Sequence, residues 1–338
     1  MRILLIMDPG IPVPPPLYGG HERLVYMFAE EYTRLGHEVC LLAGPQSKIS
    51  GSTTHFGKND LKRSKKERFA ELLQAWSFLR KKKNEFDLIH NFGRLAYLIP
   101  ILNAKTKKIM TYGRPVSTKG IKAITSLPNK NLTFTACSNY CVSTGNVAGH
   151  WRTVYNAIDF SFYTLAEKVE SNAPFMFLGR MDKVKGLHHA INVCLATGNR
   201  LYVAGNIPTT PDNYEYYQRF IEPRFDSKQI IYLGPLNDEQ KHNYLSQAKA
   251  LLFPIEWDEP FGMVMVEAMA CGTPVIAFNR GSVPEVVKEG VNGIIVENEE
   301  QMIHAITQIE KIDRKECRLY AQGQFELTIV AKKYLSLI

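Results

Sequence analysis

Short apolar runs alternate with helix-length segments from one end of this chain to the other, and that alternation restricts its possible folds more tightly than any other feature. Runs near 2–7, 38–43, 86–91, 106–111 and 131–137 read as strands, with helices near 21–36, 66–82 and 138–148. Further strands near 174–179, 200–204, 229–233, 250–254, 273–277 and 293–296 alternate with helices near 186–197, 213–225, 238–248, 262–271, 283–289 and 299–311. Alternation of this kind gives parallel sheets with helices on both faces. The 338 residues suffice for two domains with separate cores. The expected class is therefore α/β, with two Rossmann-like doubly wound domains facing across a cleft. The break falls near Tyr155-Asn156-Ala157-Ile158-Asp159, giving domains over 1–157 and 158–317. A final helical run from about 318 to 338 has no strand to follow and is expected to cross back onto the first domain.

The most informative local segment runs from Trp257 to Ala277. It reads as a loop, a helix begun by Pro260 at its first position, a Gly-Thr-Pro break, and a buried strand. Glu259 and Glu267 fall seven residues apart across the junction and, at about 100° per residue, project to nearly the same side. The spacing alone also suits a solvated helix face. Met263, Val264, Val266, Ala268, Met269 and Ala270 nevertheless make this helix apolar on most sides, so it is expected to be buried, and a buried glutamate needs partners. The amides of Gly262, Met263 and Val264 lie between the two carboxylates, and a helix N-terminus accepts phosphate. Carboxylates for hydroxyls and amides for a diphosphate together suit a sugar nucleotide.

Two more segments agree. Pro174 to Leu187 is an apolar strand, a turn carrying Gly179, Arg180 and Lys185, and a helix start. In doubly wound sheets ligands sit off the carboxyl ends of strands, where Arg180 offers a fork and Lys185 a point charge to a diphosphate. After the first strand come Pro9, Pro12, Pro14, Pro15 and Pro16, then Tyr18-Gly19-Gly20 and a helix opening at His21-Glu22. The prolines stiffen the approach, and Gly19 and Gly20 let backbone come close to a ligand. This loop lacks the Gly-Lys-Ser/Thr ending of a P-loop and is no dinucleotide fingerprint.

Composition excludes several classes. Hydrophobic residues at 45% and charged residues at 22% are those of a soluble globular protein. No fixed repeat appears and no apolar run reaches the roughly 20 residues of a membrane span. Arg2–Met7 is too short for a signal-peptide core and is expected to be the first buried strand. The six cysteines show no zinc or redox spacing, which points to a reducing cytoplasm. A net charge of +8 favours anionic ligands or surfaces. Lys62, Arg63, Lys65, Lys66 and Arg68 form one basic cluster and Arg80 to Lys83 another, with Phe69, Leu72, Leu73, Trp76 and Leu79 between them at helical spacing. Residues 62–83 thus read as a basic amphipathic helix that either docks on its own domain or makes peripheral contact with an anionic membrane. No nucleic-acid motif is present.

Taken together, the segment from Phe175 to Val296, with Pro15 to Glu22, Gly36-His37-Glu38-Val39, Asp87-Leu88-Ile89-His90, Ser138-Asn139 and Arg280 to Val286, resembles the retaining nucleotide-sugar glycosyltransferases of the GT-B fold, family 4. The resemblance implies that Arg180 and Lys185 hold the diphosphate, Glu267 the ribose hydroxyls and Glu259 the donor-sugar hydroxyls. Backbone around Gly234-Pro235-Leu236 would border the base, with Phe261 in the donor site, while Gly19 and Gly20 close on the phosphates. His90 resembles a residue lining the sugar and acceptor site, with Phe92, Arg94, Tyr112 and Arg114 on the acceptor side. Phe92 stands where many relatives have a second histidine, and Tyr112-Gly113-Arg114 replaces a common Leu-His-Gly, so the acceptor does not transfer. The implied reaction moves a hexose from a nucleotide diphosphate donor, UDP-hexose before GDP-mannose, to a hydroxyl with retention. The acceptor would attack from the leaving-group face, a donor phosphate oxygen taking its proton. No Asp-x-Asp pair exists to hold a metal, so neither metal nor cofactor is expected. A sugar-nucleotide epimerase, a phosphorylase and a non-catalytic nucleotide-sugar sensor are the alternatives.

Overall fold

The computed structural model describes residues 1–16, 19–116, 118–145 and 149–338. These fall into two units, Met1–Ile158 with Leu327–Ile338, and Asp159–Glu326.

The first unit holds seven parallel strands, β1 (Arg2–Ile6), β2 (Glu38–Ala43), β3 (Ser52–His55), β4 (Leu88–Asn91), β5 (Lys107–Tyr112), β6 (Leu132–Ala136) and β7 (Trp151–Thr153), in the order β3-β2-β1-β4-β5-β6-β7. Its helices are α1 (Gly20–Arg34), α2 (Lys65–Lys82), α3 (Thr118–Thr125) and α4 (Asn139–Gly145). β1 lies inside the sheet because Ile3 to Ile6 are apolar on both faces; Leu4 pairs with Cys40 on one side and Ile89 on the other. Sequence reading misses the short strands β3 and β7 and the helix α3. Both strands lie at the edges of the sheet, half-exposed and mostly polar, so neither carries the apolar run that marks an inner strand. The expected helix 138–148 ends at Gly145 within the described residues, and 146–148 lie outside them.

The helix α2 corrects the amphipathic reading. It buries Glu71, Ala75 and Leu79, while Phe69 and Leu73 stay 59% and 47% exposed. Glu71 turns inward on the buried face to meet Arg63 at 3.2 Å and Arg94 at 2.8 Å, while Leu79 of the expected apolar stripe packs inward and Phe69 and Leu73 do not.

The second unit holds β8 (Phe175–Leu178), β9 (Leu201–Ala204), β10 (Ile230–Gly234), β11 (Leu251–Phe253), β12 (Val275–Phe278) and β13 (Gly293–Val296), all parallel, ordered β10-β9-β8-β11-β12-β13. Its helices are α5 (Leu187–Thr197), α6 (Pro211–Tyr216), α7 (Asp238–Gln247), α8 (Met263–Ala270), α9 (Val283–Val286), α10 (Glu299–Gln308) and α11 (Arg314–Phe325). The return to the first unit begins later than residue 318. α11 stays in the second unit, where Cys317, Ala321 and Phe325 are buried and the Phe325 ring meets Phe261 edge-on at 5.6 Å. Extended backbone at Glu326 (ψ 133°) ends α11, and α12 (Leu327–Leu335) rejoins the first unit, its Tyr334 ring standing 5.3 Å from Phe28 of α1. No helix among the described residues is long and apolar enough to cross a membrane.

Candidate functional site

In the second unit the strand order reverses between β8 and β11, and a doubly wound sheet opens a crevice off the carboxyl ends of such strands. The loops that follow them bring together residues far apart in sequence. After β8 the chain passes Gly179 and Arg180 and makes a short 3₁₀ turn over Lys183–Lys185, then enters α5 through Gly186 at φ +71°. A Cβ at Gly186 would stand 1.8 Å from the Pro254 carbonyl, so only glycine lets this turn press against the loop after β11. That contact lets Lys185 Nζ reach Glu259 Oε2 at 2.6 Å, with the Trp257 indole N–H donating to the same oxygen at 3.0 Å. The Lys185 ammonium also lies 5.1 Å from the Trp257 ring centroid. Arg180 is more open, its side chain 54% exposed and paired with Asp182 at 2.9 Å.

The Glu259 loop differs from its expected form. α8 begins at Met263, so Pro260 is not its first residue, and Gly262 at φ +78° is the cap. The left-handed glycine breaks the helical path, so Glu259 and Glu267 are not related by two helical turns. Glu259 is instead set by the segment after β12: Ser282 N–H donates to its carbonyl at 2.9 Å, and a Cβ at Gly281 would stand 2.4 Å from that oxygen. Phe261 is 2% exposed and serves as an anchor in the core. No side chain caps α8, which leaves the first-turn amides of Met263 and Val264 without an intrahelical acceptor.

Glu267 has a partner that sequence reasoning missed. Lys241 of α7 meets it at 2.6 Å and Asp238 at 3.3 Å. Burial works to lower the Lys241 pKa, but the two carboxylates outweigh it and hold the pKa above the usual lysine value. Nothing in the spacing of α7 announces that contact. Glycines mark the remaining floor: a Cβ at Gly205 would fall 1.8 Å from the Gly179 carbonyl, and Gly205 N–H donates to Gly234 at 3.1 Å. Leu236, just beyond, is half-buried.

The first unit also reverses its strand order, between β1 and β4. There Arg94 meets Asp8 at 3.2 Å and Glu71 at 2.8 Å and donates to the Tyr97 hydroxyl at 2.6 Å, so it serves an internal network rather than a free acceptor site. His90 corrects a second expectation. It is 0% exposed, its Nε2 is 2.8 Å from Thr111 Oγ1 and its ring lies 4.1 Å from Phe92 and 4.5 Å from Tyr334. Burial, with His21 nearby, lowers its pKa to about 3, and it is a neutral core residue, as Phe92 at 3% exposure is a core residue too.

Gly19 is required by close approach, since a Cβ there would lie 2.7 Å from Pro15 and 2.9 Å from Glu22 Oε2, whereas one at Gly20 would meet nothing within 4 Å. Tyr18 lies outside the described residues. His21, in the first turn of α1, was not singled out by sequence. Its Nε2 is buried with no hydrogen-bond partner among the described residues, and burial, then the Arg114 charge, lowers its pKa to about 4 against the pull of Asp8. Arg114 is exposed, and burial pushes the Tyr112 hydroxyl up to about 12.

Comparison with known proteins agrees with this fold. The family described as glycosyl transferases group 1 matches residues 166–324. D-inositol 3-phosphate glycosyltransferase of Mycolicibacterium smegmatis is 38% identical over 180 residues, 49% of this chain and 41% of that protein. Sucrose-phosphate synthase from Thermosynechococcus elongatus superposes with a TM-score of 0.79 at 21% identity, covering 99% of this chain and 98% of that one. Anabaena Alr3699/HepE in complex with UDP-glucose gives 0.73 at 20% identity, covering 100% of both chains. The chain spans about half the length, or less, of most curated relatives it matches.

Proposed function

We propose that this chain, whose residues 166–324 match the group 1 glycosyl transferases and whose fold is GT-B, transfers a hexose from a nucleotide diphosphate sugar, UDP-hexose by preference, to an acceptor hydroxyl with retention of configuration. One observation carries the reading. Lys185 and Glu259, 74 residues apart, meet at 2.6 Å at the strand-order reversal of the second unit, beside the uncapped start of α8. Departure of a diphosphate from an oxocarbenium-like sugar builds negative charge on the leaving group, and fixed cations and amides that meet it lower the barrier. Donor binding exchanges partners: the diphosphate takes Lys185, Arg180 and the Met263 and Val264 amides, which frees Glu259 for sugar hydroxyls. Glu267 keeps Lys241 on one oxygen and offers the other to the ribose. UDP-bound relatives support the donor class.

Metal is not needed in this scheme, because Arg180, Lys185 and the α8 terminus supply the positive charge; turnover persists in chelator. The cysteines, all free thiols, support a cytoplasmic setting. The exposed Phe69 and Leu73, flanked by Lys62, Lys65 and Lys66, support peripheral contact with an anionic membrane.

The test is UDP release from a donor panel, followed by mass spectrometry of acceptor products. Lys185→Ala lowers kcat about 10²–10³-fold, as for loss of one preorganised donor to a developing anion, with a smaller change in KM. Normal turnover with weakened affinity would refute the assignment. UDP-glucose without acceptor separates the alternatives: an epimerase converts the sugar unaided, a phosphorylase requires inorganic phosphate, and a sensor releases no UDP.

A further inference from the structure

The first turn of α5 carries two adjacent histidines that the donor site does not use. Their ring centroids are 3.9 Å apart. His188 Nδ1 lies 2.7 Å from the Tyr216 hydroxyl, and His189 Nδ1 lies 2.5 Å from Glu299 Oε1, an oxygen that also accepts from Asn192 Nδ2 at 2.9 Å. An ionised carboxylate only accepts, so His189 carries a proton on Nδ1, and in the neutral ring Nε2 is then a lone pair. That lone pair faces Glu256 Oε1 at 3.4 Å, a second acceptor. Two acceptors in opposition repel unless a proton or a metal ion stands between them.

One edge of the cluster has the spacing of a metal site. Zinc–nitrogen and zinc–oxygen bonds of about 2.0–2.2 Å in tetrahedral geometry put neighbouring ligand atoms roughly 3.3–3.6 Å apart. The His189–Glu256 separation of 3.4 Å is already that edge. A ring nitrogen of His188, one of His189 and a Glu256 oxygen all lie within 4.8 Å of one another. Each Nδ1 has an oxygen partner, the kind of outer contact that orients metal-binding imidazoles. A cavity of about 490 Å³, lined by His189, Glu256, Phe278, Arg280 and Glu299 among others, reaches two of the three groups.

We propose that His188, His189 and Glu256 bind one divalent transition-metal ion of the zinc class, leaving a fourth position for water. The site is structural rather than part of sugar transfer. Glu256 N–H donates to the Val184 carbonyl at 2.9 Å, so the ion ties the first turn of α5 to the loop that leads into Glu259. The proposal does not rest on the transferase reading, and none of its ligands is assigned to the donor.

The full-length protein, stripped with EDTA and exchanged into metal-free buffer, is titrated with Zn²⁺ by calorimetry and with Co²⁺ by visible absorption. One equivalent binds, with the cobalt d–d bands of a four- or five-coordinate site, and the Tm rises with zinc. Glu256→Gln, at an exposed side chain, and His188→Gln/Glu256→Gln each weaken binding at least 100-fold while circular dichroism shows them folded. Glu299→Gln weakens it about 10–100-fold. His304→Gln, on an exposed residue of α10, changes nothing. Equal stoichiometry and affinity in Glu256→Gln and the wild type overturns the proposal. So does no uptake by the wild type at micromolar zinc.

Discussion

Two glycines at opposite ends of α5 offer a controlled test of how the site is assembled. Gly186 caps the helix at φ +71° and Gly198 ends it at φ +69°, so both are left-handed and an alanine pays the same backbone cost at each. That cost is about 1–2 kcal/mol. Their surroundings differ completely. A Cβ at Gly198 meets nothing within 4 Å, while one at Gly186 falls 1.8 Å from the Pro254 carbonyl oxygen and 2.8 Å from its carbon. The contact has to open to an ordinary separation, which adds about 1–3 kcal/mol by comparison with overpacked cores. For a domain of this size 1 kcal/mol shifts Tm by about 2–4 °C. Gly198→Ala therefore loses roughly 2–8 °C and Gly186→Ala about twice as much, both read by differential scanning calorimetry. Activity separates them further. The backbone that must give way at Gly186 joins Lys185 to the Glu259 loop, so donor turnover falls at least 10-fold in Gly186→Ala and stays within twofold of wild type in Gly198→Ala. Equal losses in both assays would refute the claim that the close approach at Pro254, rather than the left-handed turn alone, holds the Lys185–Glu259 pair.

Three other outcomes follow from the same contacts. Lys241→Met strips the partner from a carboxylate only 12% exposed; it lowers stability by about 1–3 kcal/mol and raises donor KM, and the double variant with Glu267→Gln loses less than the two single losses added, whereas simple additivity would deny the coupling. His90 and His21 have folded pKa values near 3 and 4, below the ordinary 6.5, so the unfolded chain binds more protons throughout that window. Their contribution is complete above pH 6.5 and is lost on acidification, by up to about 1.4 kcal/mol per pH unit for each; His90→Gln flattens the fall, as measured by urea unfolding with Trp76 and Trp151 fluorescence in a Trp257→Phe background, and an unchanged slope would contradict the neutral core histidine. Finally, co-sedimentation with anionic vesicles is salt-sensitive and drops several-fold in Phe69→Ser/Leu73→Ser; equal pelleting of the variant and wild type counts against a lipid-facing α2.

What the sequence reveals, and what it hides, follows from where each residue's partners lie. Inner strands such as β1 and β12 are apolar throughout because both faces are covered, so they stand out from local pattern alone. The edge strands β3 and β7 are defined by a neighbour on one side only and leave no such trace. The crevice residues are legible for a related reason: the turn after β8 and the loop after β11 each carry glycine, charge and a helix start, and the sheet's topology brings the two ends together. For His90 its place within Leu88-Ile89-His90-Asn91, a fully buried strand, counts for more than its chemistry.

The partners of the acidic residues are the part no local pattern could supply. Lys185 lies 74 residues from Glu259 and Lys241 lies 26 from Glu267, yet each carboxylate assigned to a ligand hydroxyl already holds a lysine at 2.6 Å. In the proposed reading a donor displaces or shares an existing ion pair at both positions. Its affinity is the difference between two sets of charge-assisted contacts, and the gain is greatest where negative charge grows during bond cleavage, since Lys185 then meets more charge on the departing diphosphate than Glu259 offered it.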